Sequence, residues 1–376
     1  MAKPKITPYQ LSMYTEPITR LYRALEQDIF LMIAKRLKTS KDYSSDHVFK
    51  WQVEKMQELR LLNEDTIKLL SQTTGIASSK IREAIYEVSD KTKITVDDEI
   101  AQLKKINPLI PVRNDNDIRL ESLINQTFRE LDNYVNQTLI TTNFGQGTVT
   151  KLYKDIIEET VAKVLSGHMT INDAITESVI KWRKSGVKTS FIDKGNNIWH
   201  LEHYAETVLR STVNRTYNDV RLSRMQEHDV EFVLVSSLPD AREACARIQG
   251  NVCSMYRVSS DPKYPSIYEF GYGAPNGIRG INCRHILYPF IPGVNYNNEV
   301  QYDVDDAILR GKISQAQRRL ERDIRQTKMN IELAENLGND MLAKKYRNQL
   351  NMRRAKMREF VIEHDVPRFR EREQIR

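Results

Sequence analysis

Apolar residues recur at spacings of three and four through the first half of the chain, and this period predicts amphipathic helices. The clearest stripe runs from Leu120 to Leu139 and predicts one long helix. Pro108 and Pro111 predict a hinge before it, between Asn107 and Asn116, because a residue that precedes proline disfavours helix. Similar stripes predict partner helices at Ile18 to Leu37, Val48 to Leu62, Ile81 to Val88, Val149 to Leu165 and Ile171 to Trp182. Residues 1–186 are therefore expected to form an all-helical domain.

The period changes after Gly186. Two short apolar runs, at Thr189 to Ile192 and at Ile198 to Leu201, flank the turn-forming residues 193–197. This arrangement predicts a β-hairpin. A helix is expected to follow from about Glu202 to Glu227.

Strand-forming residues and a glycine-rich loop come next. Val230 to Val235 is β-branched and aromatic, which predicts a strand largely buried in a sheet. Four glycines between Gly271 and Gly280 prevent regular structure and predict a loop held close to other backbone. The chain is expected to return as a strand from His285 to Phe290. Residues 187–300 are thus predicted to form a small α+β module.

A helical pattern resumes beyond Asp306. An apolar stripe from Ile313 to Ala334 predicts a helix that Gly338 ends, and a second helix is expected from Asp340 to about Glu363. The two helices are expected to fold back on each other as an antiparallel hairpin within residues 301–376. The predicted fold class is therefore α+β and predominantly α: a helical N-terminal domain, a small α+β module and a C-terminal helical hairpin.

Composition narrows the class of protein. Among 376 residues, 40% are hydrophobic and 28% are charged, which excludes wholesale disorder. No apolar run is long enough to predict a membrane span, and no apolar segment near the start predicts a signal peptide. Synthesis in the cytoplasm is expected, and the three cysteines argue against a disulfide framework. The net charge is +7, and residues 307–376 hold 18 Lys and Arg against 10 Asp and Glu, so the positive charge lies in the tail.

One group of residues has the chemistry of metal ligands: Cys245, Cys253, Cys283 and His285. Thiolates and imidazole are the ligands that Zn²⁺ prefers, and a structural site needs four of them. The separation between Cys245 and Cys253 is wide for a zinc knuckle. Two interpretations stay open, namely a structural zinc site and, favoured by the spacing, buried cysteines with a hydrogen-bonded histidine. Nucleophilic catalysis would need an adjacent base and a lowered cysteine pKa, and is disfavoured.

Polar residues share one face of the helix predicted after the hairpin. They are Arg210, Asn214, Tyr217, Arg221 and Arg224. Guanidinium groups on such a face could bind phosphates or carboxylates. The favoured alternatives are a solvated surface and ion pairs that tie the helix to its own domain.

The basic tail is a candidate for binding nucleic acid. A concentrated surplus of positive charge attracts a polyanion and gives salt-sensitive binding without sequence preference. The residues expected to contribute are Arg318, Arg322, Arg325, Lys344, Lys345, Arg353 and Arg354. The alternative is a solvated hairpin whose acidic and basic residues pair at helical spacing. The sequence contains no recognisable DNA-reading motif, phosphate-binding loop or dinucleotide fingerprint.

Several runs in the second half of the chain occur in a characteristic order. They are Arg210 to Asn218, Asp240-Ala241-Arg242 with Cys245, Gln249-Gly250, Gly280 to His285, Pro289-Phe290 and Gln317 to Arg325. Together these runs resemble the tailed-phage minor capsid protein 2 family. That family is similar to the MuF-like head-morphogenesis module, typified by protein F of phage Mu.

The resemblance extends to the candidate metal ligands. In the Mu-type relatives an Arg and a His precede an Asp-Gly, and a later Asn-Cys-Arg-Cys closes the module. Here Cys245 takes the place of the His and His285 the place of the last Cys, so three ligands are retained: Cys245, Cys283 and His285. Cys253 is the spare cysteine for a fourth position. The other interpretation is that these side chains bind no metal and hold the Gly271 to Gly280 loop against the sheet by hydrogen bonds.

The resemblance implies a structural protein of the virion, without enzyme activity, that lies inside the head. Its expected partners are the portal protein, a scaffold or major capsid protein, and double-stranded DNA bound without sequence preference. No membrane contact and no cofactor other than a structural zinc ion are expected. The alternatives are a metal-dependent enzyme, such as a nuclease or a toxin-like effector carried in the virion, and a plain cytoplasmic DNA-binding protein.

Overall fold

The computed structural model describes residues 7–38, 47–105, 116–131, 139, 148–166, 169–192, 196, 198–274, 276–280 and 282–375. Most of these residues are helical, and the strands among them form a two-stranded and a three-stranded sheet. The predicted α+β class with predominant helix is confirmed.

The first half of the chain folds as six helices. They are α1 (Pro8–Leu37), α2 (Val48–Gln57), α3 (Leu59–Lys104), α4 (Asn116–Leu131), α5 (Thr148–Leu165) and α6 (Ile171–Ser185). The main difference from the prediction is α3, which continues unbroken for 46 residues. A single helical glycine costs only about 1 kcal/mol, so Gly75 does not break it. The predicted hinge, apart from Asn116, and most of the predicted helix beyond Leu131 lie outside the described residues.

The predicted hairpin and the helix after it are confirmed. Strand β1 (Lys188–Ile192) pairs antiparallel with β2 (Ile198–His200), and α7 (Leu201–Glu227) begins directly after β2. The chain therefore turns from strand into helix without a linker.

A three-stranded antiparallel sheet has the order β4-β3-β5. Its central strand β3 (Phe232–Val235) is buried throughout, as are β4 (Val252–Ser254) and β5 (Leu287–Phe290). Strands β3 and β5 confirm the prediction with shorter bounds, whereas β4 was not predicted. The short helix α8 (Glu243–Ala246) lies between β3 and β4. The sheet is small, and its central strand carries no polar side chain.

Both faces of this sheet are covered, which explains why its strands lack polar alternation. On one face Val233, Val235, Cys253 and Leu287 belong to an apolar cluster that includes Val96 of α3. On the other face Phe232, Leu234, Val252, Tyr288 and Phe290 belong to a second cluster, with Val213 and Tyr217 of α7. Helices α3 and α7 thus supply residues that cover the sheet.

The C-terminal helical hairpin is confirmed. Helix α9 (Val304–Leu337) ends where Gly338 takes a positive φ of 77°, and α10 (Asp340–Glu363) begins after Asn339, whose side chain accepts the Leu342 N–H. The helices meet through a cluster of Ile324, Leu350 and Met357. Their close packing fixes which face of each helix remains exposed.

Two compact units make up the chain. Unit 1 comprises Met1–Ile18, Ser78–Arg129 and Glu206–Gln315, and unit 2 comprises Thr19–Ala77, Glu130–Ala205 and Ala316–Arg376. The division into domains 1–186, 187–300 and 301–376 stays a prediction. In the described part of the chain, no helix is both long and apolar enough to cross a membrane.

Candidate functional site

Three of the four predicted metal ligands come together in unit 1. The sulfur of Cys283 lies 3.9 Å from that of Cys245 and 3.7 Å from Nδ1 of His285, and the donor atoms of the three residues lie within 4.8 Å of one another. All three side chains are buried. Two sulfurs and an imidazole nitrogen are a donor set that suits zinc.

The backbone around His285 is held by two side chains that close onto it. The Asn218 side chain on α7 donates to the carbonyl of His285 at 3.1 Å and accepts the N–H of Leu287 at 3.1 Å. Ser236, which follows β3, accepts the N–H of Ile286 at 2.9 Å. These bonds fix the extended segment that presents Cys283 and His285 before β5 begins.

Gln249 determines which nitrogen of the neutral His285 imidazole carries the proton. Its Oε1 accepts the backbone N–H of Leu238 at 2.9 Å, which identifies this atom as the amide oxygen. His285 Nε2 lies 3.2 Å from the same oxygen, so Nε2 carries a proton and donates it. In the neutral imidazole Nδ1 is then unprotonated, and its lone pair faces Cys283.

The two cysteines have pKa values shifted in opposite directions. The hydrogen bond from the Cys245 thiol lowers the pKa of Cys283 well below its usual value despite burial. Donating that bond, together with burial, raises the pKa of Cys245. Arg242 opposes this rise because its Nε donates to the Cys245 sulfur at 3.4 Å.

Cys253, the remaining predicted ligand, does not join this group. It lies in β4 opposite Val233 of β3 and is buried in the sheet core. Burial raises the pKa of Cys253 to about 12, which keeps it a neutral thiol. The structure therefore brings Cys245, Cys283 and His285 together and places Cys253 apart from them.

The glycine-rich loop lies against the candidate site through Arg242. The Arg242 side chain donates to the carbonyl of Gly277 at 2.6 Å as well as to Cys245. A Cβ atom at Gly277 would lie 1.9 Å from the carbonyl oxygen of Gly271, so only glycine fits there. The close backbone approach found here joins two positions of the loop itself.

The polar face of α7 serves internal ion pairs. Arg221 is fully buried and donates to Glu99 at 2.5 Å, and Arg224 binds both carboxylate oxygens of Asp97 at 2.7 and 2.9 Å. Arg210 pairs with Glu206 one turn earlier. Of the alternatives for this face, ion pairs within its own unit are the ones the structure contains.

Two of the predicted nucleic-acid-binding residues are engaged inside unit 2. Arg325 is buried, donates to Glu202 at 2.7 Å and also donates to the carbonyl of Arg372. Arg353 donates to the carbonyl of Asp323 and to the Thr327 hydroxyl across the helical hairpin. These two guanidinium groups hold the C-terminal part of the chain together.

The other predicted nucleic-acid-binding residues lie closer to the surface. Arg322, Lys344 and Lys345 are exposed, and Arg318 and Arg354 are half-buried. Lys356 and Arg358 of α10 are also exposed. The hairpin therefore retains a basic outer surface after its internal contacts are made.

Three residues that shape the site were not predicted as members of it. Arg242, Gln249 and Asn218 contact the sulfur, the imidazole and the backbone of the cluster. All three lie inside the runs that carry the family resemblance. Their place in these runs was the one signal in the sequence that pointed to them.

Comparison with known proteins identifies the family of the chain. The model of the family described as phage minor capsid protein 2 matches residues 6–362. A structural protein of Lactococcus phage LL-H is 35% identical over 352 residues, which cover 92% of this chain and 95% of that protein. A structural protein of Lactococcus phage mv4 is 43% identical over 116 residues, which cover 31% of this chain and 94% of that protein. No solved structure matches the chain. The chain belongs to the phage minor capsid protein 2 family.

Proposed function

We propose that the chain is a structural, non-enzymatic component of the phage head, made in the host cytoplasm and incorporated inside the procapsid at the portal vertex. The observation that carries this proposal is the family match over residues 6–362, which includes residues of both compact units. Both similar phage proteins are named structural proteins. Portal protein and a scaffold or major capsid protein are the proposed protein partners.

The interior of unit 1 is consistent with a structural role. The candidate cluster has its donor atoms in the core, where a substrate in solution does not reach them. The arginines of α7 are held by Glu99 and Asp97. A unit stabilised in this way can present a fixed surface to other virion proteins.

The test of this function is incorporation into heads. We expect the chain to copurify with DNase-treated heads and with affinity-tagged portal protein from infected cells. Absence from heads that contain portal and coat protein would contradict the head assignment. Presence in heads without retention by portal would contradict the portal assignment alone. A nuclease assay with Mg²⁺ or Mn²⁺ on the purified chain tests the enzymatic alternative, and metal-dependent cleavage would support it.

We also propose that the outer surface of the C-terminal hairpin contacts packaged DNA without reading its sequence. Arg322 of α9 and Lys344 and Lys345 of α10 are exposed, and their side chains have no hydrogen bond or ion pair among the described residues. Exposed cations that approach phosphates release condensed counter-ions, which favours binding at low salt. Arg325 and Arg353 are assigned internal roles instead.

Neutralising these exposed cations should weaken DNA binding in a salt-dependent manner. In a variant with Arg322→Gln, Lys344→Gln and Lys345→Gln, we expect the slope of log affinity against log salt concentration to become shallower by up to about 3, since each phosphate contact contributes about 0.9. The measurement is fluorescence anisotropy with a labelled duplex over a range of salt concentrations.

A matched control removes three exposed lysines from other helices of unit 2, by Lys68→Gln, Lys151→Gln and Lys184→Gln. This variant has the same net charge, and we expect it to keep most of the original salt slope. Equal losses in the two triple variants would show that net charge, and not the hairpin surface, governs binding.

A further inference from the structure

The buried thiols and imidazole of unit 1 are not used by the proposed function. The geometry points to a zinc site in which Cys245, Cys283 and His285 are the three protein ligands and water is the fourth. Such a site would link the short helix α8 (Glu243–Ala246), which carries Cys245, to the segment that enters β5.

The distances between donor atoms carry the argument. A tetrahedral zinc ion with Zn–S bonds of about 2.3 Å and a Zn–N bond of about 2.0 Å places its sulfurs about 3.8 Å apart and sulfur and nitrogen about 3.5 Å apart. The corresponding distances here are 3.9 Å between the sulfurs and 3.7 Å from the Cys283 sulfur to His285 Nδ1. Two of the three donor pairs are therefore close to the separations that a tetrahedral zinc ion requires, and the Cys245 sulfur lies within 4.8 Å of the imidazole donor atom.

The neighbours of the cluster have the contacts expected around zinc ligands. A metal-binding histidine usually donates its other ring N–H to an oxygen, and His285 donates Nε2–H to Gln249 Oε1. Gln249 is itself fixed by the N–H of Leu238. Arg242 donates to the Cys245 sulfur, as hydrogen-bond donors beside a metal site do to a bound thiolate.

The charges also balance. Two thiolates neutralise Zn²⁺, so the ion and its ligands add no net charge to the core. Among the described residues, no further Cys, His, Asp or Glu joins the three-residue group, and water is therefore assigned to the fourth position. Cys253 is excluded by its place in β4, opposite Val233.

Zinc content of the full-length protein tests the site. We expect about one zinc ion per chain after purification from zinc-supplemented cells, measured by plasma mass spectrometry. The Cys253→Ala variant should retain it, because this equally buried cysteine lies outside the cluster. Cys245→Ala and Cys283→Ala should each lose it. Zinc-free wild-type protein that is folded, or undiminished zinc in either of the last two variants, would overturn the proposal.

Two measurements on the wild-type chain cover the case in which the cysteine variants fail to fold. Replacing zinc by Co²⁺ should give a thiolate-to-cobalt charge-transfer band, which requires sulfur ligands. Chelation should increase hydrogen exchange in peptides that span residues 271–290. An absent band and unchanged exchange would each count against the site. These readouts do not depend on head assembly, so they can fail while the proposed function holds.

Discussion

Replacing Arg221 by methionine is expected to destabilise unit 1 by about 3 to 5 kcal/mol, because the change removes one partner of a buried ion pair. The guanidinium has no exposed surface, and it donates to Glu99 at 2.5 Å and to the carbonyl of Leu287 at 2.8 Å. Methionine retains an apolar chain of similar length, so the loss of stability measures the contribution of the charge and the hydrogen bonds. Glu99 is then left without its counter-ion, and the carbonyl of β5 loses a donor.

Hydrogen exchange of peptides that cover β3 and β5 measures this effect within unit 1. The tryptophans, Trp51, Trp182 and Trp199, all belong to unit 2, so their fluorescence does not report on unit 1 directly. Arg215→Met on the same helix is the control, because its exposed side chain should cost no more than about 0.5 kcal/mol. Similar protection of β3 and β5 in the two variants would contradict the prediction.

A double variant separates the ion pair from the surrounding packing. Arg221→Met combined with Glu99→Gln removes the uncompensated carboxylate, and we expect it to be more stable than Arg221→Met alone. If the double variant is no more stable than the single variant, the loss arises from the Leu287 hydrogen bond and the contacts with the rings of Tyr217 and Tyr288.

Periodicity predicted most of the helices because their stabilising contacts repeat every turn, but it did not show that α3 runs unbroken from Leu59 to Lys104. The end of α9 followed from Gly338, which is a local signal. The structure adds that the Asn339 side chain caps α10. Strand β4 was missed because three residues are too few to show alternation. Its existence depends on pairing with β3, a contact between separate parts of the chain.

Charge in the tail shows a second limit of sequence reasoning. The number of basic residues in the tail is read directly from the sequence. The sequence does not show which of these residues are exposed and which are buried. Arg325 is held by Glu202, which lies 123 residues away in the sequence. No local pattern indicates such a partner, whereas the exposure of Lys344 and Lys345 follows from their positions on the outside of the hairpin.

The sequence predicted the residue types of the candidate zinc site, but only three of the four predicted ligands belong to it. The side chains of Cys283 and His285, two residues apart on an extended segment, meet at 3.7 Å. Excluding Cys253 required the register of β4 against β3. The imidazole tautomer required Gln249 and its bond to Leu238, which no spacing of cysteines and histidines indicates.

The second large expected effect concerns Glu26 of α1, whose carboxyl group lies close to Glu202 and Arg183 in unit 2. Burial of the carboxyl, reinforced by the negative charge of Glu202 and opposed by Arg183, raises the pKa of Glu26 from 4.5 to about 7. The folded chain therefore holds this proton more tightly than the unfolded chain. Its stability contribution is fully present below pH 4.5 and is lost as the pH rises toward 7.

Glu26→Gln should remove this pH-dependent loss of stability, because glutamine does not ionise. The amide oxygen can still accept the N–H of Val187, which Glu26 binds at 3.3 Å. The full shift corresponds to about 3 kcal/mol, and because the side chain is only partly buried we expect a stabilisation of about 2 kcal/mol at pH 8. Near pH 4.5 the variant and the wild type should be equally stable, since the wild-type carboxyl is then protonated in the folded state.

Urea unfolding followed by tryptophan fluorescence measures this difference directly, because all three tryptophans lie in unit 2 with Glu26. Glu64→Gln, at an exposed position of α3 in the same unit, is the control and should change stability by no more than about 0.5 kcal/mol at either pH. A Glu26→Gln variant that is no more stable than the wild type at pH 8 would show that the carboxylate is well solvated or well paired there. In that case the ion pairs of Glu202 with Arg23 and Arg325 would account for the stability of this region without a protonated Glu26.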